Sequence, residues 1–352
     1  MKNIYQVGPD KSLRGGISTV IREISFSEKI NSIYSLKFIS TISEKSIITF
    51  FRSLLKVIRI EDKSIVHFHV ASNGSFIRKY LIYKLLKKNT KKIFHLHGGG
   101  FLNFYRNSNK ILKYFIRDML NGCEIIINVS DYMMKELNKE FPFIKDKAVR
   151  IYNGIDLNID EKPFKEKENS ILFLGKLVGY KGIYDLINVI DNIKGFLIEK
   201  KWNVVIAGDG EVDKVNEILK QKNLLSVVKV IGWVDGDAKK EVLSKSKIAI
   251  IPSHVESFGI AAIEAMAYGN SIVCSNVGAL PEIIKNEVNG FVVEKGNING
   301  FEEKITSLIQ NEEKMKAIYN NNIKYCKIFS IDNMMDNFIK QYRSIDGEKY
   351  EK

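Results

Sequence analysis

The sequence predicts an α/β protein with two doubly wound parallel sheets, and three observations lead to this fold class. The chain has 352 residues, more than one ordinary α/β core contains. Short β-branched segments alternate with helical segments along most of it. A polar stretch rich in Lys and Glu interrupts this alternation before residue 170. We therefore expect a first domain at 1–156, completed by a helical tail at about 331–352 that crosses back to it, and a second domain at 157–330.

The first half begins with a strand that ends in a turn at Pro9. Gly15 and Gly16 follow, just before a helix expected from Ile17. Consecutive glycines let the backbone approach a ligand closely, and the next helix aims its free N–H groups at an anion, although such a turn is also common as plain loop geometry. The other elements expected in this half are strands at 64–70, 92–97 and 124–129, a last strand from Ala148, and helices at 76–86, 110–121 and 132–140.

Three histidines of this half lie on neighbouring expected strands. His67 and His69 are two positions apart and so share a face of one strand. Metal ligation is conceivable, but no Cys, Asp or Glu accompanies them at ligand spacing, so we expect histidines that pack or face an acceptor. His97, followed by three glycines, ends the next strand, where ligands bind in open α/β sheets. Three glycines in a row are costly to order unless the backbone turns sharply there.

The second half repeats the alternation with lysines and glycines at the strand ends. Lys176 and Lys181 lie between a strand expected at 170–174 and a helix expected from Ile183. Glycines flank both lysines, so the loop is free to fold around one diphosphate. Gly208 ends the strand that begins at Asn203. Trp233 ends the strand expected at 227–234, where it is either a core aromatic or part of a ligand-binding wall.

Two carboxylates bracket a small-residue segment further along. Glu256 belongs to the loop after a strand expected at 247–251, and Glu264 to a helix expected at 261–268. At ~1.5 Å of rise per residue their carboxyl groups are ~9–12 Å apart. Retaining glycosidases need a separation of ~5 Å and inverting ones ~6.5–9.5 Å, which disfavours a glycosidase pair. The separation suits the two ends of a nucleotide-sugar, with its diphosphate on the helix N-terminus between them.

This segment reads Pro-Ser-x-x-Glu-Ser-Phe-Gly-x-x-x-x-Glu-Ala-Met-Ala-x-Gly and resembles the E-x(7)-E motif of retaining GT-B glycosyltransferases of family 4. The resemblance implies two Rossmann-like domains facing a cleft. It also implies a metal-independent transfer from a nucleoside-diphosphate sugar such as a UDP-sugar. Lys176 departs from the family pattern, which more often has Arg there. The resemblance implies that His97, Lys181 and Glu256 are catalytic. The donor-binding residues that it implies are Gly15, Gly16, Lys176, Lys181, Gly208, Trp233, Glu256, Ser257, Phe258, Gly259, Ile260 and Glu264.

Charge is distributed unevenly along the chain. The net charge is +13, and residues 1–165 hold 29 Lys and Arg against 15 Asp and Glu, while the rest is nearly balanced. A basic segment at 78–92 interleaves cations with apolar residues. It is either an amphipathic helix with solvated lysines or a surface for an anionic membrane, within reach of a polyprenyl-diphosphate-linked glycan acceptor.

The composition favours the cytoplasm. The cysteines Cys123, Cys274 and Cys326 are far apart and form no C-x-x-C pair, which suits a reducing compartment without a disulfide framework or zinc site. No signal peptide or long apolar run is evident. We expect a cytoplasmic enzyme, peripheral at the inner face of the plasma membrane.

The function expected from these features is hexosyl transfer to a glycan or lipid-linked glycan in bacterial surface-polysaccharide synthesis, with no cofactor or metal required. One alternative is a nucleotide-sugar epimerase of the same architecture. Another is a non-catalytic binder of nucleotides or nucleic acid, suggested by the basic half. That half lacks the basic, aromatic-interleaved motif of nucleic-acid readers, so we expect no nucleic-acid partner.

Overall fold

A computed structural model describes residues 1–13, 15–42, 46–159 and 162–347. The chain divides into two compact units, Met1–Gly154 with Ile331–Lys352 (unit 1) and Ile155–Ser330 (unit 2). Each unit is built on a six-stranded parallel sheet, which confirms the predicted fold class. The division after Gly154 lies two residues before the expected boundary.

The sheet of unit 1 has the strand order β2-β1-β3-β4-β5-β6. Its order therefore reverses once, between β1 and β3. Strands β3 and β5 are buried along their whole length, as expected where helices cover both faces of a parallel sheet. The strands are β1 (Lys2–Pro9), β2 (Tyr34–Ile42), β3 (Ile65–Val70), β4 (Lys91–Leu96), β5 (Ile125–Asn128) and β6 (Ala148–Arg150).

Helices connect these strands and cover the sheet. No element is predicted for 34–58, where the structure has β2 and an amphipathic helix. The helices of unit 1 are α1 (Gly16–Phe26), α2 (Glu28–Asn31), α3 (Ser46–Ile58), α4 (Gly74–Leu85), α5 (Phe101–Asn107), α6 (Lys110–Gly122), α7 (Asp131–Glu140) and α15 (Ile331–Asp346), with a 3-10 helix at Pro142–Lys147.

The tail helix α15 belongs to the core of unit 1. Its apolar residues Met334, Phe338 and Tyr342 are buried in the same cluster as Ile4 of β1 and Ile65 of β3. The period of three and four residues between the buried α15 positions is the reason this segment folds as an amphipathic helix. The last helix of the chain thus completes the hydrophobic core of the first sheet, as the sequence analysis expected.

The sheet of unit 2 has the order β12-β11-β10-β7-β8-β9. Counted from the first strand of this unit, the order is 3-2-1-4-5-6, that of a dinucleotide-binding fold, which reverses between β7 and β10. Strands β11 and β12 lay outside the expected elements. The strands are β7 (Glu168–Leu174), β8 (Asn203–Ala207), β9 (Val228–Gly232), β10 (Ser246–Ile251), β11 (Ser271–Ser275) and β12 (Gly290–Val293).

The helices of unit 2 pack an Ile- and Leu-rich core against both faces of this sheet. None of the helices in the described part of the chain is long and apolar enough to cross a membrane. The helices are α8 (Ile183–Glu199), α9 (Val212–Gln221), α10 (Gly236–Lys245), α11 (Ile260–Ala267), α12 (Leu280–Ile283), α13 (Ile298–Gln310) and α14 (Glu312–Tyr325), with 3-10 helices at Phe164–Glu166, Gly179–Lys181 and Cys326–Phe329.

Unit 1 also has a polar interior. The side chains of His67, His69 and His95 are completely buried on β3 and β4. Burial holds the pKa of each of the three imidazoles well below its ordinary value, because the charged form loses its hydration. These histidines are therefore neutral in the folded protein at neutral pH.

We predict that the stability of unit 1 falls as the pH is lowered from 7 to 5. In the unfolded chain the histidines bind protons below pH ~6.5, whereas in the folded chain their pKa values are lowered, so this stability is present above that pH and is lost below it. Each histidine contributes a slope of about 1.4 kcal/mol per pH unit. Urea unfolding followed by circular dichroism at several pH values measures the loss.

Tryptophan fluorescence provides an internal reference for that experiment. The two tryptophans of the chain, Trp202 and Trp233, both lie in unit 2, whose sole histidine is the partly exposed His254. The fluorescence transition should move less with pH than the circular-dichroism transition. Equal stability of unit 1 at pH 7 and pH 5 would contradict the neutral, buried state of the three histidines.

Candidate functional site

The strand reversal in unit 2 brings two loops of opposite charge together. Strand β7 leads into the 3-10 turn that ends at Lys181, and its neighbour β10 leads into the loop that carries Glu256. At such a reversal the loops after the two strands leave toward opposite faces of the sheet and open a crevice at its carboxyl edge. Two of the residues singled out in the sequence therefore lie together at the carboxyl edge of the sheet, at its strand reversal.

Lys181 and Glu256 form an ion pair at this edge. The ammonium Nζ of Lys181 lies 2.6 Å from Oε2 of Glu256, and Oε1 of the same carboxylate accepts the backbone N–H of Ser257 at 3.1 Å. The lysine side chain is 26% exposed and the glutamate side chain 15%. Both charges are thus close to the surface of the crevice and remain accessible to a polar ligand.

Close backbone approaches fix the loop that carries Glu256. Gly182 has φ +75°, and a Cβ at this position would lie 1.9 Å from the carbonyl oxygen of Pro252. Gly278 has φ +56°, and its Cβ would lie 1.7 Å from the carbonyl oxygen of Glu256. Only glycine fits either position. The backbone around Glu256 is therefore fixed by contacts that no side chain can replace.

A histidine that the sequence analysis missed adds a further tether. The backbone N–H of His254 donates to the carbonyl of Tyr180 at 2.9 Å. Its Nε2 lies 2.5 Å from Oδ2 of Asp185 in α8. His254 is two residues from Glu256 and links the β10 loop to the β7 loop and to the helix that follows. No local pattern in the sequence predicts this contact.

The helix α11 begins directly after this loop. Gly259 caps it in the left-handed conformation, at φ +96°, and no acidic residue lies in its first turn. The N-terminus of the helix therefore keeps its partial positive charge. Ile260 in the first turn is 42% exposed, whereas Phe258 is buried against the ring of Phe329 and serves packing.

The second carboxylate of the motif has its own lysine. Glu264 lies inside α11, and its Oε1 is 2.7 Å from Nζ of Lys239 on α10. No local sequence pattern predicts Lys239, because the two residues are 25 positions apart. Glu256 and Glu264 are thus each paired with a different cation.

The remaining predicted donor-binding residues of unit 2 differ in their surroundings. Lys176 is exposed. A Cβ on Gly208 would lie 1.8 Å from the carbonyl oxygen of Gly175, so this glycine permits close approach of two loops. Trp233 is 50% exposed, and its indole N–H donates to Asp235 at 3.2 Å. This exposure excludes the alternative that Trp233 is a core aromatic.

The predicted residues of unit 1 lie at the carboxyl ends of β1 and β4. Helix α1 begins at Gly16, preceded by Gly15 at φ +133°, and has no acidic residue in its first turn. His97 follows β4 and is only half buried. Gly98 has open space on its Cβ side, and Gly100 adopts an ordinary φ of −74° as it caps α5. The backbone nevertheless turns at these glycines, because the N–H of Phe101 donates to the carbonyl of Gly98 at 3.3 Å.

His97 is hydrogen-bonded to the buried histidines beneath it. Its Nε2 lies 2.9 Å from Nδ1 of His69 on the neighbouring strand. Burial and the nearby charge of Lys79 lower the pKa of His97 to about 3. Lys79 is itself buried in α4, donates to Ser75 at 2.8 Å, and has a pKa lowered to about 7 by burial. His97 is thus a neutral imidazole at the end of its strand.

Three of these histidines are close enough to be considered as metal ligands. Nitrogens of His67, His69 and His95 lie within 4.8 Å of one another. The rings of His67 and His69 are stacked 4.3 Å apart at 17°, so their lone pairs point side by side and not to one centre. Both nitrogens of each of these two rings are also engaged in hydrogen bonds. The arrangement fits a hydrogen-bonded array of imidazoles better than a metal site.

Comparison with known proteins identifies the family. Residues 15–159 match the family model described as Glycosyltransferase Family 4, and residues 155–325 match that of Glycosyl transferases group 1. An uncharacterized glycosyltransferase of Methanocaldococcus jannaschii is 37% identical over 191 residues. The match covers 50% of this chain and 48% of that protein, so this chain spans about half the length of that relative. An uncharacterized 41.2 kDa protein in the cps region of Klebsiella pneumoniae is 26% identical, over 80% of this chain and 84% of that protein.

Solved structures agree on the fold. The crystal structure of HepE from Anabaena in complex with UDP and glucose superposes with a TM-score of 0.77 at 14% identity, covering 98% of this chain and 100% of that one. At this identity the likeness concerns the fold alone. The two family models cover the chain from residue 15 to residue 325, including both candidate groups of residues. The chain therefore belongs to glycosyltransferase family 4 and has the GT-B fold.

Proposed function

We propose that this chain is a retaining glycosyltransferase that moves a sugar of the hexose type from a nucleoside-diphosphate sugar to a hydroxyl group of an acceptor. The observation that carries the proposal is the ion pair of Lys181 and Glu256, 2.6 Å apart at the strand reversal of unit 2. A cation for a diphosphate and a carboxylate for sugar hydroxyls are held together where open α/β sheets bind ligands. The family match supports the same chemistry.

Positive groups at this edge stabilise the leaving diphosphate. Lys181 lies at the crevice, the exposed Lys176 is on the same loop, and the N-terminus of α11 has no acidic residue in its first turn. Negative charge builds on the diphosphate as its bond to the sugar breaks, and fixed positive groups lower that barrier. With this charge supplied by the protein, the reaction requires no metal ion.

The two carboxylates hold the two ends of the donor. Glu256 accepts hydrogen bonds from hydroxyls of the transferred sugar, and Glu264 accepts them from the ribose hydroxyls. The donor is a UDP-sugar in our proposal, because the Anabaena protein with the same fold was crystallised with UDP and glucose. His97 lies beside the donor sugar.

The anomeric configuration of the sugar is retained. The bond between the anomeric carbon and the diphosphate oxygen breaks, and the acceptor oxygen forms its new bond on the same face. The acceptor proton passes to the departing diphosphate oxygen, so the products are the glycoside and the nucleoside diphosphate. Exclusion of water from the site suppresses hydrolysis of the donor.

The acceptor is a glycan or a polyprenyl-diphosphate-linked glycan used in surface-polysaccharide assembly. The similarity to a Klebsiella pneumoniae protein in the cps region supports this class. An acceptor with a lipid anchor requires an enzyme that works at the cytoplasmic face of a membrane.

Unit 1 has a surface suited to such a membrane. Helix α3 packs beside α4, and α4 beside α6. Each helix exposes apolar side chains at helical spacing, which soluble surfaces rarely collect in one place. This apolar-basic face consists of Ile48, Phe51, Leu55 and Ile58 of α3, Ile77, Leu81 and Leu85 of α4, and Ile111 and Tyr114 of α6, all at least 46% exposed, together with the exposed cations Arg52, Lys56, Arg59, Lys87 and Lys88.

The cations of this face are free to meet an anionic leaflet. None of those five forms an ion pair with a carboxylate among the residues that the structure describes. By contrast, Lys84 lies 3.4 Å from Asp118 and Lys91 lies 3.9 Å from Glu124. Near an anionic membrane each unpaired cation contributes about 1 kcal/mol, and the apolar side chains insert between headgroups.

One prediction from this proposal concerns the reaction itself. Incubated with candidate nucleotide-sugars, the protein should release nucleoside diphosphate only when a glycan acceptor is present, and the product should keep the donor's anomeric configuration by NMR. EDTA should leave the rate unchanged. Conversion of the donor to another sugar without acceptor would identify an epimerase and overturn the proposal, and activity lost in EDTA and restored by Mn²⁺ or Mg²⁺ would overturn metal independence.

A second prediction separates the two carboxylates. Glu256→Ala should leave nucleoside-diphosphate affinity within about twofold and reduce transfer by at least 100-fold, because its partner is the sugar. Glu264→Ala should weaken nucleotide binding itself. Calorimetry with UDP and initial rates measure both effects. Glu241→Ala, which removes a surface carboxylate paired with Lys245, should change neither quantity, and equal loss of affinity in the first two variants would refute the assignment.

A third prediction concerns the membrane. Phe51→Ser combined with Leu55→Ser should abolish co-sedimentation with anionic vesicles at low salt, since these side chains provide the inserted apolar surface. The matched control replaces Leu225 and Val288 by Ser, two side chains of unit 2 with similar exposure, and should bind as wild type. Wild-type binding should also fade with rising salt. A wild-type protein that ignores anionic vesicles at low salt would contradict this surface.

A further inference from the structure

A continuous chain of hydrogen bonds runs through the interior of unit 1. It joins Gln6 on β1 and Tyr342 on α15 to four histidines. Of these, His67 and His69 lie on β3, His95 lies on β4, and His97 directly follows β4. The bonds are Gln6 Nε2 to Tyr342 Oη at 3.1 Å, Tyr342 Oη to His67 Nδ1 at 2.8 Å, His67 Nε2 to His95 Nδ1 at 3.0 Å, Gln6 Oε1 to His69 Nε2 at 2.5 Å, and His69 Nδ1 to His97 Nε2 at 2.9 Å. We call this set the histidine array.

The amide of Gln6 gives the first branch of the array its direction. Its N–H donates to the oxygen of Tyr342, so the single hydroxyl hydrogen of Tyr342 is directed to Nδ1 of His67. A neutral imidazole that accepts at Nδ1 carries its hydrogen on Nε2. His67 therefore donates from Nε2 to Nδ1 of His95. His95 in turn keeps its hydrogen on Nε2, a buried nitrogen that has no hydrogen-bond partner among the described residues.

The carbonyl of the same amide gives the second branch its direction. Oε1 of Gln6 can only accept, so His69 donates to it from Nε2 and accepts at Nδ1. The donor to that Nδ1 is Nε2 of His97. His97 then has a lone pair on Nδ1, the one ring nitrogen of His97 without a partner in the described structure.

We propose that Gln6 and Tyr342 are positioning residues that hold all four histidines in the Nε2–H form, so that His97 acts only as a hydrogen-bond acceptor toward its ligand. This rests on the proposed function, in which the ligand beside His97 is a sugar. An acceptor nitrogen binds a hydroxyl group, which can donate, and disfavours a phosphate or carbonyl oxygen, which cannot. The array thereby contributes to the choice of a sugar hydroxyl at this position.

Two features keep the array in this state. The rings of His67, His69 and His95 are completely buried, so water does not offer these three rings alternative partners that would reverse the bonds. The positive charge of the nearby Lys79 opposes protonation of His97 and His69, which would give His97 a second donor. The orientation of the Gln6 amide is in turn fixed by Tyr342, a residue 336 positions away in sequence.

The tautomers are directly measurable. The chain has five histidines, and His254→Asn removes the signal of the one outside the array. Long-range ¹H–¹⁵N correlation spectra at pH 7.5 without any substrate should show the other four as neutral Nε2–H tautomers. A spectrum with His97 as the Nδ1–H tautomer or as an imidazolium would overturn the proposal.

Gln6→Glu tests whether the hydrogen bonds of the array set the tautomers, or whether the tautomers merely reflect the intrinsic preference of an imidazole for the Nε2–H form. The new carboxylate accepts hydrogen bonds from His69 and from Tyr342. The hydroxyl hydrogen of Tyr342 then points to the carboxylate, and the hydroxyl oxygen accepts from Nδ1–H of His67. His67 and His95 should change to the Nδ1–H tautomer, while His69 and His97 keep Nε2–H. A spectrum with all four tautomers unchanged would show that Gln6 does not set them.

If the buried carboxylate of Gln6→Glu prevents folding, Tyr342→Phe provides a second test, because it removes only the hydroxyl group and keeps the aromatic ring. The Gln6 amide then loses its acceptor and is free to rotate, so the ¹⁵N shifts of His97 should move to the average of two tautomers. Unchanged shifts for His97 would overturn the role of Tyr342.

The effect of the array on the reaction is measured separately, by kcat. Tyr342→Phe should lower kcat about fivefold to tenfold, the size of one ordinary hydrogen bond, with unchanged UDP affinity. The spectra require no substrate, so they test the array even if no sugar transfer is found. Altered tautomers with an unchanged kcat would overturn the link between the array and the reaction.

Discussion

Both sheets reverse their strand order once, and most of the candidate chemistry follows from that constraint. Parallel strands need crossovers, and a right-handed crossover on each side of the first strand sends neighbouring loops to opposite faces. The gap that results lies between β1 and β3 in unit 1 and between β7 and β10 in unit 2. Lys181 and Glu256 flank the second gap. Around the first, Gly15 and Gly16 follow β1, while Gln6 and the histidines occupy the strands themselves.

Pairing with lysine explains how two carboxylates are kept half buried without a ligand. A lone charge at such a site loses hydration and gains nothing in return. Glu256 and Glu264 avoid this cost because each accepts from its own lysine, Lys181 or Lys239, at 2.6 and 2.7 Å. In the proposed reaction the diphosphate gives Lys181 a second anion to neutralise, and sugar hydroxyls take up the free acceptor capacity of Glu256. The pair is thus a preformed site that needs little rearrangement to accept a donor.

The sequence predicted the features that are local and missed those that are distant. The alternation of strands and helices predicted both sheets, and the spacing from Pro252 to Gly269 predicted that Glu256 lies in a loop and Glu264 in a helix. Lys239, Gln6 and Tyr342 were missed because their partners are 25 to 336 positions away. The pattern at His67 and His69 predicted a shared face but could not reveal stacked rings, since ring orientation depends on which residue of another strand or helix accepts each hydrogen.

The position of α15 has a consequence for synthesis on the ribosome. Unit 2 is a continuous segment, whereas the core of unit 1 lacks Met334, Phe338 and Tyr342 until about 190 further residues have followed Gly154. At 5–20 residues per second this interval lasts about 10–40 s. Unit 2 is synthesised within this interval and is complete only at Ser330, so the apolar face of the first sheet stays open until the whole of unit 2 has been made. The nascent chain therefore exposes the core of unit 1 for longer than its finished, two-unit architecture suggests.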